Sequence, residues 1–292
     1  MNAILVIDKP AGFTSHDVVA RVRRIFNLRP VGHLGTLDPM ATGVLPLVMG
    51  SMTRLAQFYL ASEKSYEGVI RFGFATDTYD AEGEPSTERR EPTLSLDQYR
   101  DLGCKFRGVI EQMPPPFSAK KINGVPAYKL ARKKKETPLK PVQVEIKEFE
   151  ILGLDAGRAS FRARVASGTY LRSVAHDLGQ MAGCGAHLDS LRRTAVGEFQ
   201  LKDAHTLEEI EQVAQGGEGV QGLLVHPRTL LPSLPAVTVT DEIAARIRHG
   251  QPINLLELSR AREVKVFYGQ RDLIAIATRV AGTLFHPKIV LG

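Results

Sequence analysis

Residues 32–46 read Gly32-His33-Leu34-Gly35-Thr36-Leu37-Asp38-Pro39-Met40-Ala41-Thr42-Gly43-Val44-Leu45-Pro46. Three glycines and two prolines allow positive φ angles and fix bends, which predicts a shaped loop rather than a helix or a strand. The loop carries one carboxylate, Asp38, among apolar neighbours. A carboxylate in such surroundings loses hydration energy unless a cation or hydrogen-bond donors face it. Asp38 is therefore expected either to cap a short turn, as Asp-Pro often does, or to belong to a functional site with a cationic partner.

The segment GHLGTLDPMATG, residues 32–43, resembles the catalytic loop of the TruB family of tRNA pseudouridine synthases, whose pattern is close to GHxGTLDPxATG. In that family the aspartate of this loop is the catalytic residue, and it aligns with Asp38. The chain departs from the family at Leu34, where threonine is usual. The resemblance also implies that His33 occupies the space that a flipped target nucleotide leaves.

Four further motifs resemble the same family, and each implies a role for one side chain. Lys9 belongs to a DKPxGxTS motif and is assigned to the substrate-binding cleft, where it supports the fold. Tyr66 belongs to a K-x-Y motif, whose tyrosine stacks on the target base and is the candidate for handling the C5 proton. Arg172 belongs to GTYLRS, similar to the family's GTYIRS, whose arginine pairs with the catalytic aspartate. Leu191 belongs to L-x-x-L-R-R-T-x-x-G, whose leucine lines the pocket over the base.

Taken one at a time, these residue types usually have ordinary structural roles. A lysine in a turn is usually solvated, and an aromatic residue that opens a strand usually packs in the core. An arginine beside threonine and tyrosine usually lies at the surface, and a histidine in a loop needs no functional explanation. The combination of motifs favours the catalytic interpretation over these alternatives.

A basic segment occupies residues 113–141, and it begins with three prolines that predict a stiff, extended entry. From residue 118 to residue 141 it carries eight cations against one anion, so that the rest of the chain has a net charge of about −1. Most lysine clusters are simply solvated. The resemblance implies instead a mobile thumb loop that closes on an RNA backbone, with phosphate-binding candidates Lys120, Lys121, Lys133, Lys134 and Lys135.

The composition of the chain indicates which classes of protein it can belong to. The chain has 292 residues, 43% of them hydrophobic, and a formal net charge of +6, which fits a globular protein with a polyanionic partner. It contains no run of about 18 apolar residues and no signal peptide, which predicts a cytoplasmic protein that does not bind a membrane. Its two cysteines lie far apart and outside any zinc-binding spacing, so neither a disulfide framework nor a metal site is expected. No nucleotide-binding glycine motif is present, and no cofactor is expected.

Hydrophobic patterns predict an α+β fold with a mixed, largely antiparallel sheet flanked by helices. They predict strands over residues 4–7, 44–49 and 64–80 and a hairpin over residues 142–166. They also predict a helix capped by Ser15, a helix over residues 53–60, and helices that begin near Leu96 and Arg172. Glycines and prolines over residues 216–235 predict a domain boundary. The catalytic domain is expected to span residues 1–232. Residues 233–292 resemble a PUA domain, a small β-barrel that binds RNA.

The resemblance implies that the chain isomerises uridine 55 in the T-loop of tRNA to pseudouridine without a protein partner. The target nucleotide would be flipped, its C1′–N1 bond broken, and C5 bonded to C1′. Two alternatives stay open: a guide-directed enzyme of the same superfamily, which the absence of long terminal extensions disfavours, and a non-catalytic RNA-binding or RNA-chaperone protein. The sequence does not distinguish a nucleophilic Asp38 from one that assists formation of a glycal.

Overall fold

A computed structural model describes residues 1–118, 121–122, 125–126, 139–216, 219–257 and 259–291. Most of the predicted thumb lies outside these residues, including Lys120 and the cluster Lys133, Lys134 and Lys135. For Lys121 only the backbone is described. The phosphate-binding roles predicted for these lysines therefore stay predictions.

The described part of the chain contains six α-helices. They are α1 (Ser15–Ile25), α2 (Ala56–Tyr59), α3 (Leu96–Cys104), α4 (Leu171–Met181), α5 (Leu207–Gln215) and α6 (Asp241–Arg248).

Sixteen strands are described. They are β1 (Ala3–Lys9), β2 (Val31–His33), β3 (Thr42–Met49), β4 (Lys64–Phe72), β5 (Gly108–Gln112), β6 (Lys121–Ile122), β7 (Val125–Pro126), β8 (Val142–Asp155), β9 (Arg158–Val165), β10 (Ala186–Val196), β11 (Phe199–Gln200), β12 (Ala236–Val239), β13 (Ile253–Asn254), β14 (Glu263–Tyr268), β15 (Asp272–Ala281) and β16 (Leu284–Val290).

The large sheet has the strand order β1-β3-β10-β4-β9-β8-β5, with β2 attached to β3 and β11 to β10. All of these neighbours are antiparallel except β3 and β10, which run parallel over a short stretch. The predicted fold class, a mixed and largely antiparallel sheet with flanking helices, is confirmed. The hairpin predicted over residues 142–166 is present as β8 and β9.

Several local predictions were wrong. The loop predicted over residues 32–46 covers only residues 34–41, because its two ends belong to β2 and β3. The strand predicted over residues 64–80 ends at Phe72, before Gly73 with its φ of +113°. The helix predicted over residues 53–60 is a 3-10 helix (Gly50–Leu55) followed by one turn of α-helix. Met52 and Leu55, both buried, are three residues apart and lie on one side of a 3-10 helix. Ser15 does not cap α1. Thr14 does so, in a capping box with Asp17, and this leaves the Ser15 hydroxyl free to bind elsewhere.

The C-terminal region forms a second sheet of five strands, in the order β12-β14-β15-β16-β13, which curls into half a barrel. Its side chains belong to two hydrophobic clusters, and one of these also contains residues of β1 and β3. The predicted boundary at residues 232–233 and the PUA-like assignment stay predictions.

No helix among the described residues is long and apolar enough to cross a membrane.

A polar contact joins the two sheets beside the functional loop, residues 34–41 between β2 and β3. The Glu198 carboxylate accepts hydrogen bonds from the Tyr59 hydroxyl at 2.7 Å and from the Leu231 backbone N–H at 3.0 Å. The Lys265 ammonium, on β14, donates to the neighbouring carbonyl of Leu230 at 2.6 Å. Burial raises the pKa of the Tyr59 phenol, and the nearby Glu198 charge acts in the same direction.

Gly43 lies where β3 and β10 meet, directly after the functional loop. It has a φ of +99°, and a Cβ built there would collide with the backbone carbonyl oxygen of Arg193. A larger residue would have to strain its own backbone and also push the two central strands apart. Glycine at this position thus permits the parallel contact between β3 and β10.

We predict that Gly43→Ala lowers the free energy of unfolding by about 3 kcal/mol or more, because it adds a steric clash to the cost of a positive φ. Gly269→Ala is the matched control: Gly269 also has a positive φ, +61°, but no atom lies within 4 Å of the position that an added Cβ would take. The control should lose only about 1–2 kcal/mol. Equal losses in urea unfolding would show that the contact between β3 and β10 imposes no steric requirement.

Candidate active site

The loop between β2 and β3, residues 34–41, presents Asp38 to solvent. The Leu34 N–H donates to the carbonyl of Pro46 at 2.9 Å, and the Ala41 N–H donates to the carbonyl of Asp38 at 3.1 Å, which closes a turn. Leu37 is buried, whereas the Asp38 side chain is 37% exposed. The turn therefore holds the backbone against the core while its one carboxylate faces outward.

Lys9 lies behind this loop and is fully buried. Its ammonium donates hydrogen bonds to the carbonyls of Pro10 at 2.8 Å, Phe13 at 2.6 Å and Pro39 at 3.1 Å. Burial lowers its pKa to about 8, although the charge of Asp38 opposes the shift. Lys9 does not line the cleft. Its hydrogen bonds show that Lys9 supports the loop backbone, and its substrate-binding role stays a prediction.

Ser15 holds the loop from the start of α1. Its hydroxyl accepts the Leu37 N–H at 2.8 Å and donates to the Leu37 carbonyl at 3.1 Å, so that one side chain satisfies both polar groups of a buried residue. Leu37 immediately precedes Asp38. Lys9 binds the carbonyl of Pro39, the residue after Asp38. Ser15 and Lys9 together therefore fix the backbone on both sides of the carboxylate.

Arg172, the second residue of α4, forms a two-point ion pair with Asp38. Its Nε lies 2.9 Å from one carboxylate oxygen and its Nη2 lies 3.2 Å from the other. The guanidinium also donates to the carbonyls of Thr78 at 3.1 Å and Phe117 at 2.9 Å, and it lies 3.5 Å from the Asp80 carboxylate. The Arg172 side chain is only 5% exposed, so these partners fix its position.

Tyr66 projects from β4 into the same region and is buried. Its phenol is near Arg193, a fully buried arginine on β10. Burial raises the pKa of Tyr66, and the Arg193 charge opposes that shift. The Asp38 charge acts in the same direction as burial. The hydroxyl is therefore protonated near neutral pH while a cation faces it.

Arg193 was not predicted as a site residue, although it is part of the quoted L-R-R-T motif. It donates to the carbonyls of Val44 at 2.7 Å, Thr36 at 3.1 Å and Gly35 at 2.9 Å. Burial lowers its pKa, and its proximity to Tyr66 and Asp38 opposes the shift. One side chain thus connects β10, the functional loop, β3 and Tyr66. The L-R-R-T motif contains Arg193, but nothing in the motif indicates that this arginine is buried.

These elements enclose a cleft with a volume of about 330 Å³. Asp38, Tyr66 and Arg172 line it, and so do His33 and Leu191. The remaining lining residues are Leu34, Gly35, Thr36, Leu37, Ala56, Tyr59, Leu60, Lys64, Ser167, Gly168, Thr169, Tyr170 and Leu171. The structure therefore brings together five side chains that the sequence placed at the site.

His33 forms one wall of the cleft at the end of β2. Its Nδ1 accepts the Gly35 N–H at 3.3 Å, which leaves Nε2 to carry the proton of a neutral ring. Burial lowers the pKa of His33, and the Arg193 charge adds to the effect. The imidazole is therefore neutral at pH 7.

The segment that enters the predicted thumb is attached to the start of α4. The Ser173 hydroxyl donates to the Met113 carbonyl at 2.7 Å, and the Gln112 amide binds both the N–H and the carbonyl of Tyr170. Arg172 itself binds the carbonyl of Phe117. The beginning of the basic segment is thus fixed directly beside the ion pair.

The described ranges contain no group of three or more histidine, cysteine, aspartate or glutamate side chains that could hold a metal ion. The chemistry available to the cleft is that of a carboxylate bound by a guanidinium and of a buried phenol. Such a set is suited to reaction at an electrophilic carbon followed by proton transfer.

Comparison with known proteins identifies related sequences over the whole chain. The model for "TruB family pseudouridylate synthase (N terminal domain)" matches residues 23–171, and that for "tRNA pseudouridylate synthase B C-terminal domain" matches residues 172–227. A tRNA pseudouridine synthase B from Solibacter usitatus is 48% identical over 100% of both chains. One from Photobacterium profundum is 36% identical over 100% of this chain and 95% of the relative.

Among solved structures, a crystal structure of a Cbf5-Nop10-Gar1 complex contains a chain that superposes with a TM-score of 0.72 and 25% identity. The match covers 99% of this chain and 85% of that one.

We predict that Lys9→Met lowers the free energy of unfolding by about 2–4 kcal/mol, because buried carbonyls lose their donor. Lys105→Met removes the same charge from an exposed position after α3 and should change stability by less than about 0.5 kcal/mol. Urea unfolding of both variants tests this expectation. If the two behave alike, Lys9 does not support the loop.

Proposed function

Because this chain belongs to the TruB family of pseudouridylate synthases, we propose that it converts uridine 55 in the T-loop of tRNA to pseudouridine, with Asp38 as the catalytic carboxylate. The chain is a tRNA pseudouridine synthase, and the choice of nucleotide and the roles of the side chains are our proposal. The observation that carries it is the two-point pair between Asp38 and Arg172 at the wall of an open cleft.

A uridine inside a folded T-loop is out of reach of this carboxylate. The nucleotide must therefore be flipped into the cleft, at a cost of a few kcal/mol. Tyr66 and Leu191 supply surfaces on which the uracil ring can pack. His33, neutral and at the cleft wall, is suited to fill the space that the base vacates. The pocket selects a pyrimidine by size and by stacking.

The proposed reaction breaks the C1′–N1 bond, turns the uracil and joins C5 to C1′. Asp38 acts on the ribose, either as a nucleophile at C1′ or as the base that lets a glycal form. Arg172 binds both carboxylate oxygens, so it orients them and compensates their charge, while the exposed fraction of Asp38 leaves it accessible. The C5 proton is lost last. Tyr66 is the proposed acceptor; because burial raises its pKa, it must act as the phenolate, the minor form at neutral pH, which the nearby Arg193 charge favours.

Binding of the T-arm is proposed to involve the basic segment, with Lys120, Lys121, Lys133, Lys134 and Lys135 contacting phosphates. Residues 233–292 are proposed to form a PUA-like RNA-binding domain. The Cbf5 chain in the solved structure assembles with Nop10 and Gar1. We propose that this chain acts without a protein partner, in the cytoplasm, and uses no cofactor.

The direct test is incubation of the purified chain alone with an unmodified tRNA transcript, followed by chemical mapping of pseudouridine. The expected product has one pseudouridine, at position 55. A transcript whose uridine 55 is replaced by cytidine is the control and should gain none. A modification at another position, or one that requires added protein or guide RNA, would overturn the proposal.

We predict that Asp38→Asn reduces turnover by about 10⁴-fold or more, because the amide is neither a nucleophile nor a base. Asparagine keeps one oxygen for Arg172, so tRNA affinity should stay within about threefold of wild type. Single-turnover assays and filter binding measure the two quantities. Turnover above a trace would rule out Asp38 as the catalytic group.

We predict that Tyr66→Phe binds tRNA normally but slows the reaction by about 10²–10⁴-fold, since phenylalanine stacks equally well and cannot take a proton. The reaction of tRNA deuterated at C5 of the target uridine should show a larger isotope effect in this variant. Normal turnover of Tyr66→Phe would limit the residue to stacking.

A further inference from the structure

Lys64 lines the cleft, yet the proposed reaction gives it no part. It is the first residue of β4, and its backbone pairs with Val165 of β9 on one side and Val196 of β10 on the other. Because side chains two residues apart on a strand share a face, Lys64 projects on the same side as Tyr66. Tyr66 is buried, whereas Lys64 is only half-buried and so lies nearer the opening.

The Lys64 side chain runs along the functional loop. A Cβ added to Gly35 would lie 3.2 Å from the Lys64 Cε, so the glycine leaves room for the lysine stem. Among the described residues, the ammonium has one hydrogen-bond acceptor, the carbonyl of Ser62 at 2.9 Å. An ammonium has three N–H donors, and two of them are therefore available to a ligand.

No carboxylate in the described ranges forms an ion pair with Lys64. The adjacent Glu63 is bound by Lys147 and Arg164, and Asp38 is bound by Arg172. The other titratable groups of the cleft wall or near the ammonium are Arg193 on β10, His33 on β2, Tyr59 on α2, Tyr66 on β4, and Tyr170 just before α4. None of these supplies a negative charge at neutral pH. Within the described ranges, the cleft thus contains a cation that no carboxylate pairs with.

The proposed substrate carries a phosphodiester on each side of the flipped nucleotide. With the uracil against Tyr66 and C1′ beside Asp38, the phosphodiesters attached to the same ribose must extend toward the opening. We propose that the Lys64 ammonium binds a phosphodiester that flanks the flipped uridine and thereby positions C1′ over Asp38. This inference rests on the proposed function, because it takes a flipped uridine as the ligand.

Burial, followed by the Arg193 charge, lowers the pKa of Lys64 to about 8. A bound phosphate favours the charged ammonium, so the pKa is higher in the complex than in the free protein. Affinity should then be constant below about pH 8 and fall as the pH rises further, since the free protein must take up a proton to bind. An arginine at this position would keep its charge and remove this dependence.

The first experiment measures the affinity of an unmodified tRNA transcript in the Asp38→Asn background, so that no turnover occurs. We expect Lys64→Met to weaken binding about tenfold and to reduce the slope of log K against log salt concentration by about one. Lys64→Arg should bind within about threefold of the parent and lose the decline above pH 8. Lys105→Met, which removes an exposed charge outside the cleft, should match the parent.

The second experiment identifies the ligand atom. T-arm RNAs carry a single neutral methylphosphonate either 5′ or 3′ to the target uridine, or at a stem position as control. One flanking substitution should weaken binding to the parent about tenfold and leave binding to Lys64→Met nearly unchanged, because the same contact is removed twice. Additive losses at both flanking positions would overturn the proposal, and so would a pH profile of Lys64→Arg equal to that of the parent.

Different results would contradict the proposed function and the role of Lys64. If the wild-type chain forms no pseudouridine in the tRNA transcript, the proposed function is wrong. If it forms pseudouridine while Lys64→Met keeps the affinity, salt slope and methylphosphonate response of the parent, only the role of Lys64 is wrong.

Discussion

The ion pair between Asp38 and Arg172 is the interaction on which the arrangement of the cleft depends. It joins residues 134 positions apart, one on the loop after β2 and one in the first turn of α4. Both carboxylate oxygens are used, and the guanidinium is fixed by two backbone carbonyls as well. The direction of the carboxylate is therefore set by two parts of the fold at once, and both parts are connected to strands of the large sheet.

Three buried polar side chains hold the loop that carries this carboxylate. Lys9, Ser15 and Arg193 all bind its backbone carbonyls, and none of the three depends on a buried carboxylate to do so. Carbonyl partners let a cation remain inside the protein without neutralising the charge of Asp38. Buried donors thus fix the backbone of the loop, while Arg172 binds both oxygens of its one carboxylate.

Much of the fold and part of the site could be predicted from the sequence. Alternating patterns identified β4 and the β8–β9 hairpin, and the motifs brought Asp38 and Arg172 to notice. Strand β10 was not predicted, because its buried Arg193 interrupts the apolar alternation that marks a strand. The role of that arginine was equally hidden. Its partners are carbonyl oxygens, which every residue possesses, so no residue type in the sequence signals the contact.

The hydrogen bond from Tyr59 to Glu198 has a consequence for how the two sheets communicate. Tyr59 is part of the cleft wall, and Glu198 also binds the backbone of Leu231, beside a carbonyl that Lys265 of the second sheet holds. The side chain of Glu198 therefore ties one wall of the cleft to the segment that enters the C-terminal sheet. A change that separated the two sheets would also remove a partner that holds Glu198 against Tyr59.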